Sequence, residues 1–228
     1  MTKGRYTFSV ERPELNDLTN ISFDEFVSLI FERAMPPEAE EVNLSFHYVE
    51  VELDAKKICA HYVRLFRDPE FLLSRFTKQQ LEGGFWAIMG HTHEWSAGNI
   101  IDYSDAPLSS RKECIESMAT LFERFFANEP LETSVHMWWD SLCYAWHCGN
   151  RSRERGGEDS ELQDTFFRTL AKVLAIDSWI CQEAALHGLG HLHHPSTAEL
   201  VDRFVKEHPS LTKEQLVYAH AAARFEVL

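Results

Sequence analysis

The sequence predicts an all-α fold, either stacked antiparallel helical hairpins as in a HEAT-like solenoid or an irregular helical bundle. Three observations carry that expectation. Apolar residues recur with a 3.6-residue period, boxes of the form Ser/Thr-x-x-Glu/Gln stand in front of the stripes, and proline or glycine punctuates the gaps. The first stripe is "SFDEFVSLIFERAM", where Phe23, Phe26, Val27, Ile30, Phe31 and Ala34 share a face behind the box Ser22-x-x-Glu25. Pro36 and Pro37 are expected to end it. In "EVNLSFHYVEVELD" the apolar residues alternate in two out-of-phase blocks, so an extended segment competes with the next helix; strand is expected at most as a short pair around 42–53.

From Ala55 the pattern is helical through Ile58, Cys59, Tyr62, Val63 and Phe66, and it stops at Asp68-Pro69. It resumes behind Thr77-x-x-Gln80 with Leu81, Phe85 and Ile88. A third box, Ser110-x-x-Glu113, is expected to start the helix of Ile115, Met118, Ala119, Phe122 and Phe126, and "HMWWDSLCYAWHC" follows as a tryptophan-rich helix. The polar run 149–160, "GNRSRERGGEDS", reads as an exposed loop. Beyond it helices are expected near 160–175, 177–189, 196–207 and 212–225, the last behind Thr212-x-x-Gln215. The segment 161–228 is too short for a core of its own, so the whole chain, 1–228, is expected to form a single helical domain.

Weak internal similarity supports stacked hairpins: "LLSRF" and "TKQQL" at 72–81 are echoed by "LVDRF" and "TKEQL" at 200–216. The segment "CQEAALHGLGHL", residues 181–192, resembles the second helix of a HEAT-like repeat and a segment of uncharacterised bacterial proteins. That resemblance implies a helical-repeat scaffold that binds another macromolecule, and it carries over no catalytic residue. The regular proline and aspartate pattern of such arrays is missing, which keeps the irregular bundle open.

The chain of 228 residues is 44% hydrophobic and 25% charged, ordinary for a folded globular protein. It has neither a signal-peptide h-region nor an apolar run of membrane-spanning length, so a cytoplasmic location and no membrane partner are expected. The cysteines Cys59, Cys114, Cys143, Cys148 and Cys181 are odd in number and form no C-x-x-C, so reduced thiols are expected. A formal charge of −14 argues against nucleic acid and would steer a basic protein partner toward the surface.

Histidine is where chemistry concentrates. Glu183, His187 and His191 stand at i, i+4 and i+8, which on a continuous helix would place a carboxylate and two imidazoles around one ion. Gly188 and Gly190 suggest instead that the helix ends nearby or is approached closely by a neighbour. With Gly190 as a C-terminal cap, His187 would lie in the last turn, His191, His193 and His194 in a loop, and no metal would be needed. That structural reading is the preferred expectation. "GHTHEW" offers His91, His93 and Glu94, but Ala97 stands where H-E-x-x-H needs its second histidine, and a loop around a buried Trp95 is expected. Cys143, His147 and Cys148 have zinc-compatible spacing yet sit among Trp138, Trp139 and Trp146, which favours packing. His136 and Asp140 read as a solvated i, i+4 pair. The arginines 151, 153 and 155 suggest a phosphate site, but interleaved acids favour a flexible loop.

No nucleophile elbow, Walker loop, dinucleotide fingerprint, haem motif or Glu-x-x-His pair is present. The resulting expectation is a protein that is not an enzyme and carries no cofactor, a scaffold or neutralising binder of a basic partner. The alternative is a metal-binding protein or metal-dependent hydrolase using Glu183, His187 and His191, completed by His91 or His93.

Overall fold

The computed structural model describes residues 17–33 and 51–227, and these form eleven α-helices. They are α1 (Phe23–Ser28), α2 (Ala55–Arg67), α3 (Leu72–Arg75), α4 (Lys78–Met89), α5 (Ala97–Tyr103), α6 (Leu108–Leu121), α7 (Ser134–His147), α8 (Gly157–Leu174), α9 (Trp179–Leu192), α10 (Thr197–Glu207) and α11 (Lys213–Ala223). Single π-helical turns, Leu29–Arg33 and Phe122–Phe126, extend α1 and α6. Among the described residues there is no strand, only an isolated parallel bridge between Asp17 and Glu52. The expected stop at Pro36 and Pro37, the residue Ala34 and the alternation through 42–50 lie outside the described residues.

Three of the four capping boxes form. Ser22, Thr77 and Thr212 each accept from the backbone N–H three residues on, and Glu25, Gln80 and Gln215 return the bond to the cap. The fourth does not. Pro107 precedes Leu108, so α6 starts earlier and Ser110 lies inside its first turn. The expected loop at 149–160 is also shorter and more ordered than its polarity suggests. Arg153–Arg155 form a 3₁₀ turn and α8 begins at Gly157. Its cations are already paired: Arg151 donates to Asp102 at 3.0 Å and Asp159 at 2.7 Å, so they offer no open phosphate site. Arg111 on α6, only 6% exposed, grips Glu158 of α8 through two bonds of 2.8 and 2.6 Å.

The helices do not stack as consecutive hairpins. In a solenoid each unit touches only its chain neighbours. Here α7 packs on α9, α6 on both α2 and α8, and α11 on α9, which is an irregular bundle rather than a HEAT array. At its centre lies α9, where Cys181, Gln182 and every residue from Ala184 to Leu192 are buried. A helix buried on every side must be small where neighbours cross it. A Cβ on Gly188 would stand 2.4 Å from Trp139 Cβ, and one on Gly190 would stand 2.3 Å from Val227 Cγ2. Neither glycine ends the helix. It runs on to Leu192 and is terminated by His193, whose φ of 53° and ψ of 34° are left-handed. Of the two uses expected of these glycines, close approach is the one found, and the alternative of a stop at Gly190 is corrected.

The start of α7 has no side-chain cap of its own. A carboxylate from α4 fills that role. Glu82 accepts from the backbone N–H groups of Glu132, Thr133 and Ser134 at 3.0, 2.9 and 2.7 Å, and from the hydroxyls of Thr133 and Ser134 at 2.6 and 3.1 Å. A negative charge at a helix N-terminus also meets the positive end of the dipole. Burial pushes the Glu82 carboxyl up, but these hydrogen bonds outweigh it and hold the group below its ordinary 4.5.

Because the folded value is depressed, the stabilisation from Glu82 is fully present above about pH 4.5 and is lost as pH falls through the lower folded value. Replacing Glu82 by Ala is expected to cost about 2 kcal/mol in urea unfolding at pH 7, and by Gln less, since an amide oxygen still accepts. The E82A deficit should shrink in acid.

Candidate metal centre

Two helix faces meet beside the Gly188–Trp139 contact. From α9 come His187 and His191, one turn apart on a buried face; from α7 comes Asp140, one residue past Trp139. The Asp140 Oδ1 lies 2.9 Å from His191 Nε2 and 3.8 Å from His187 Nε2, and the two Nε2 atoms are 3.2 Å apart. Around a tetrahedral ion with bonds of about 2.0–2.1 Å, ligand atoms stand about 3.3 Å from one another. The three separations bracket that value. The imidazoles are 2% and 4% exposed and the carboxylate 25%, so the cluster is walled on the protein side and open at the aspartate edge.

The surroundings orient the donors. The Nδ1 of His187 lies 2.8 Å from the Tyr218 hydroxyl on α11. With Nδ1–H donating to that oxygen, the Nε2 lone pair points at Asp140 and His191, the usual arrangement behind a metal-binding imidazole. Interaction with His187 and His191 holds the Asp140 carboxyl well below its ordinary 3.8, ionised as a ligand must be. Burial, then the neighbouring His187, lowers His136, whose ring centroid is 4.7 Å from that of His187. Burial pushes the Tyr218 phenol up, with Glu183 and Asp140 adding to it, so it stays protonated. Among the described residues the buried Nδ1 of His191 has no hydrogen-bond partner, so this ring lacks the orienting contact that Tyr218 gives His187.

Comparison with protein-family models, curated proteins and solved structures found no match. What the chain does must come from the site itself.

Of the residues singled out in sequence, His187 and His191 are brought together and Glu183 is not their partner. Among the described residues the donor cluster consists of Asp140, His187 and His191, all within 4.8 Å. Glu183, a turn earlier on α9, is outside that cluster, and its charge works to raise His136 and the Tyr218 phenol. His91 is instead bonded to Asp102 at 3.1 Å, and His93 stacks on the buried Trp95 at 4.6 Å. Glu94 accepts from the Val51 N–H, which leaves "GHTHEW" as a packed loop. Cys143 is fully buried, and burial raises its thiol well above the ordinary range, so it is no ready thiolate. His194 bonds Asp164 at 3.0 Å and receives the Ser196 N–H, a structural use.

Asp140 was the residue sequence reasoning missed. It reads as a solvated partner of His136 until α7 is laid against α9. The cluster overturns the expectation of a non-enzymatic protein-binding scaffold, because a chain built only to present a surface has no use for a carboxylate and two buried imidazoles converging on one point.

In metal-free protein, Asp140→Ala leaves the His191 imidazole buried without its partner and is expected to cost about 1.5–3 kcal/mol at pH 7. The depressed carboxyl makes that contribution complete above about pH 3.8, and it is lost as pH falls through the folded value. Urea titrations with chelator at pH 7 and pH 3 check both the size and the sign.

Proposed function

We propose that this protein binds a first-row divalent metal ion at Asp140, His187 and His191 and acts as a metal-dependent hydrolase. One observation carries the reading: three donor atoms from two helices lie within 4.8 Å of one another, with both imidazoles buried. Two histidines and a carboxylate form the ligand class of hydrolytic zinc sites and of facial iron sites, in which three protein ligands leave further positions to solvent or substrate. The partly exposed Asp140 supports access from that side. A structural site would more often be closed by a fourth side chain.

A bound ion of this type supplies Lewis acidity toward a substrate carbonyl or phosphoryl oxygen and toward water. The chain supplies the rest. His187 and His191 offer neutral nitrogens, Asp140 a carboxylate that offsets charge, and Tyr218 fixes the His187 ring. His136, packed against His187, is outside the ligand set and can carry a proton.

Protein purified without a metal-affinity tag is expected to retain zinc, iron or manganese at one equivalent at this triad. It should hydrolyse a simple activated ester or phosphoester in a metal-dependent manner. Alanine at His187 or His191 should abolish both properties, and Tyr218→Phe should lower metal affinity or activity by about 10–100-fold. Elemental analysis showing no metal that these substitutions release, together with no metal-stimulated hydrolysis, would overturn the reading.

A further inference from the structure

The C-terminal ends of α7 and α9 meet on the solvent side of the same helix pair. His147 is the last residue of α7 and His193 the cap of α9. Their nitrogens face each other: His193 Nε2 lies 3.3 Å from His147 Nδ1, the spacing of two ligand atoms on one tetrahedral ion. Both residues are exposed. The geometry points to a second, solvent-side transition-metal site held by His147 and His193, a labile site for a borderline cation such as Zn²⁺, Ni²⁺ or Cu²⁺.

Three independent features support it. First, both rings are held in place. His193 stacks on Phe225 at 4.6 Å and 23°, while His147 stacks on Tyr144 at 5.2 Å and meets the His191 ring edge-on at 4.9 Å. Little side-chain freedom is left to lose on binding. Secondly, two helix C-termini converge there, and their carbonyl ends favour a cation, within a chain of formal charge −14. Thirdly, His193 occupies a left-handed backbone position that glycine would fill without strain. An imidazole there is the costlier choice, and its ring is aimed at another imidazole. Imidazole pairs suit zinc, nickel and copper, and the remaining coordination positions fall to water.

This site shares no ligand with the Asp140 triad, so the two readings fail separately. The test counts Zn²⁺ and Ni²⁺ by equilibrium dialysis and calorimetry on the full chain. Wild type is expected to bind two equivalents, one of them easily removed by a weak chelator. His193→Gly, which suits the backbone conformation, and His147→Gln should each abolish the labile equivalent and keep the tight one, with circular dichroism unchanged. In Asp140→Asn/His187→Gln the labile equivalent should remain alone. A labile equivalent that survives in both H193G and H147Q, or a wild type binding a single equivalent that both variants leave intact, overturns the second site. Loss of only the tight equivalent from wild type would sink the triad and leave this site standing.

Discussion

The structure depends on how closely α7 can approach α9, and that distance is set by the absence of a side chain at Gly188. Trp139 occupies the space a Cβ would take, with its own Cβ only 2.4 Å from the point in question. Leu170 of α8 closes on the same spot at 2.9 Å, so three helices share one small residue. Directly beyond Trp139 comes Asp140, and directly before Gly188 comes His187. The packing contact and the polar cluster are therefore consecutive along both helices. A glycine inside a helix costs about 1 kcal/mol relative to alanine; here that cost secures a separation at which a carboxylate and two imidazoles meet.

Other parts of the fold act on the same distance. Glu82 fixes the start of α7 from α4, so the helix is anchored at one end by a charge and along its length by tryptophans. On the far side of α9, Gly190 lets Val227 press close, and α11 brings Tyr218 to His187. Arg111 with Glu158 ties α6 to α8, and Arg151 with Asp102 and Asp159 ties the 149–156 connection to α5 and α8; α8 in turn backs α9. No helix of the described residues is long and apolar enough to cross a membrane.

Much of the fold was legible because local signals suffice for helices. Three capping boxes and the stripes of α2, α4 and α8 to α11 depend only on residues within a few positions of each other. The box at Ser110 misled because Pro107 opens the helix first. The arrangement was less legible: α7 pairs with α9 rather than with its chain neighbour, and nothing local encodes that choice. The site shows the same division. His187 and His191 follow from a single helix, but their carboxylate comes from another, and Glu183 has the right spacing on the wrong part of the face. The glycines left two readings open, a helix end or a helix crossing, since close approach and termination leave the same residue in the sequence, and they mark a crossing.

The most direct measurement is the Zn²⁺ affinity of Gly188→Ala, a substitution that touches no donor atom. The added methyl group must displace Trp139 or separate α7 from α9, which moves Asp140 away from His187 and His191. In protein that circular dichroism shows to be folded, binding at the triad should weaken by about tenfold or more, as expected when the support of a metal ligand is disturbed. An unchanged affinity in the folded variant would contradict the account, because it would mean that the helix contact and the donor cluster are independent.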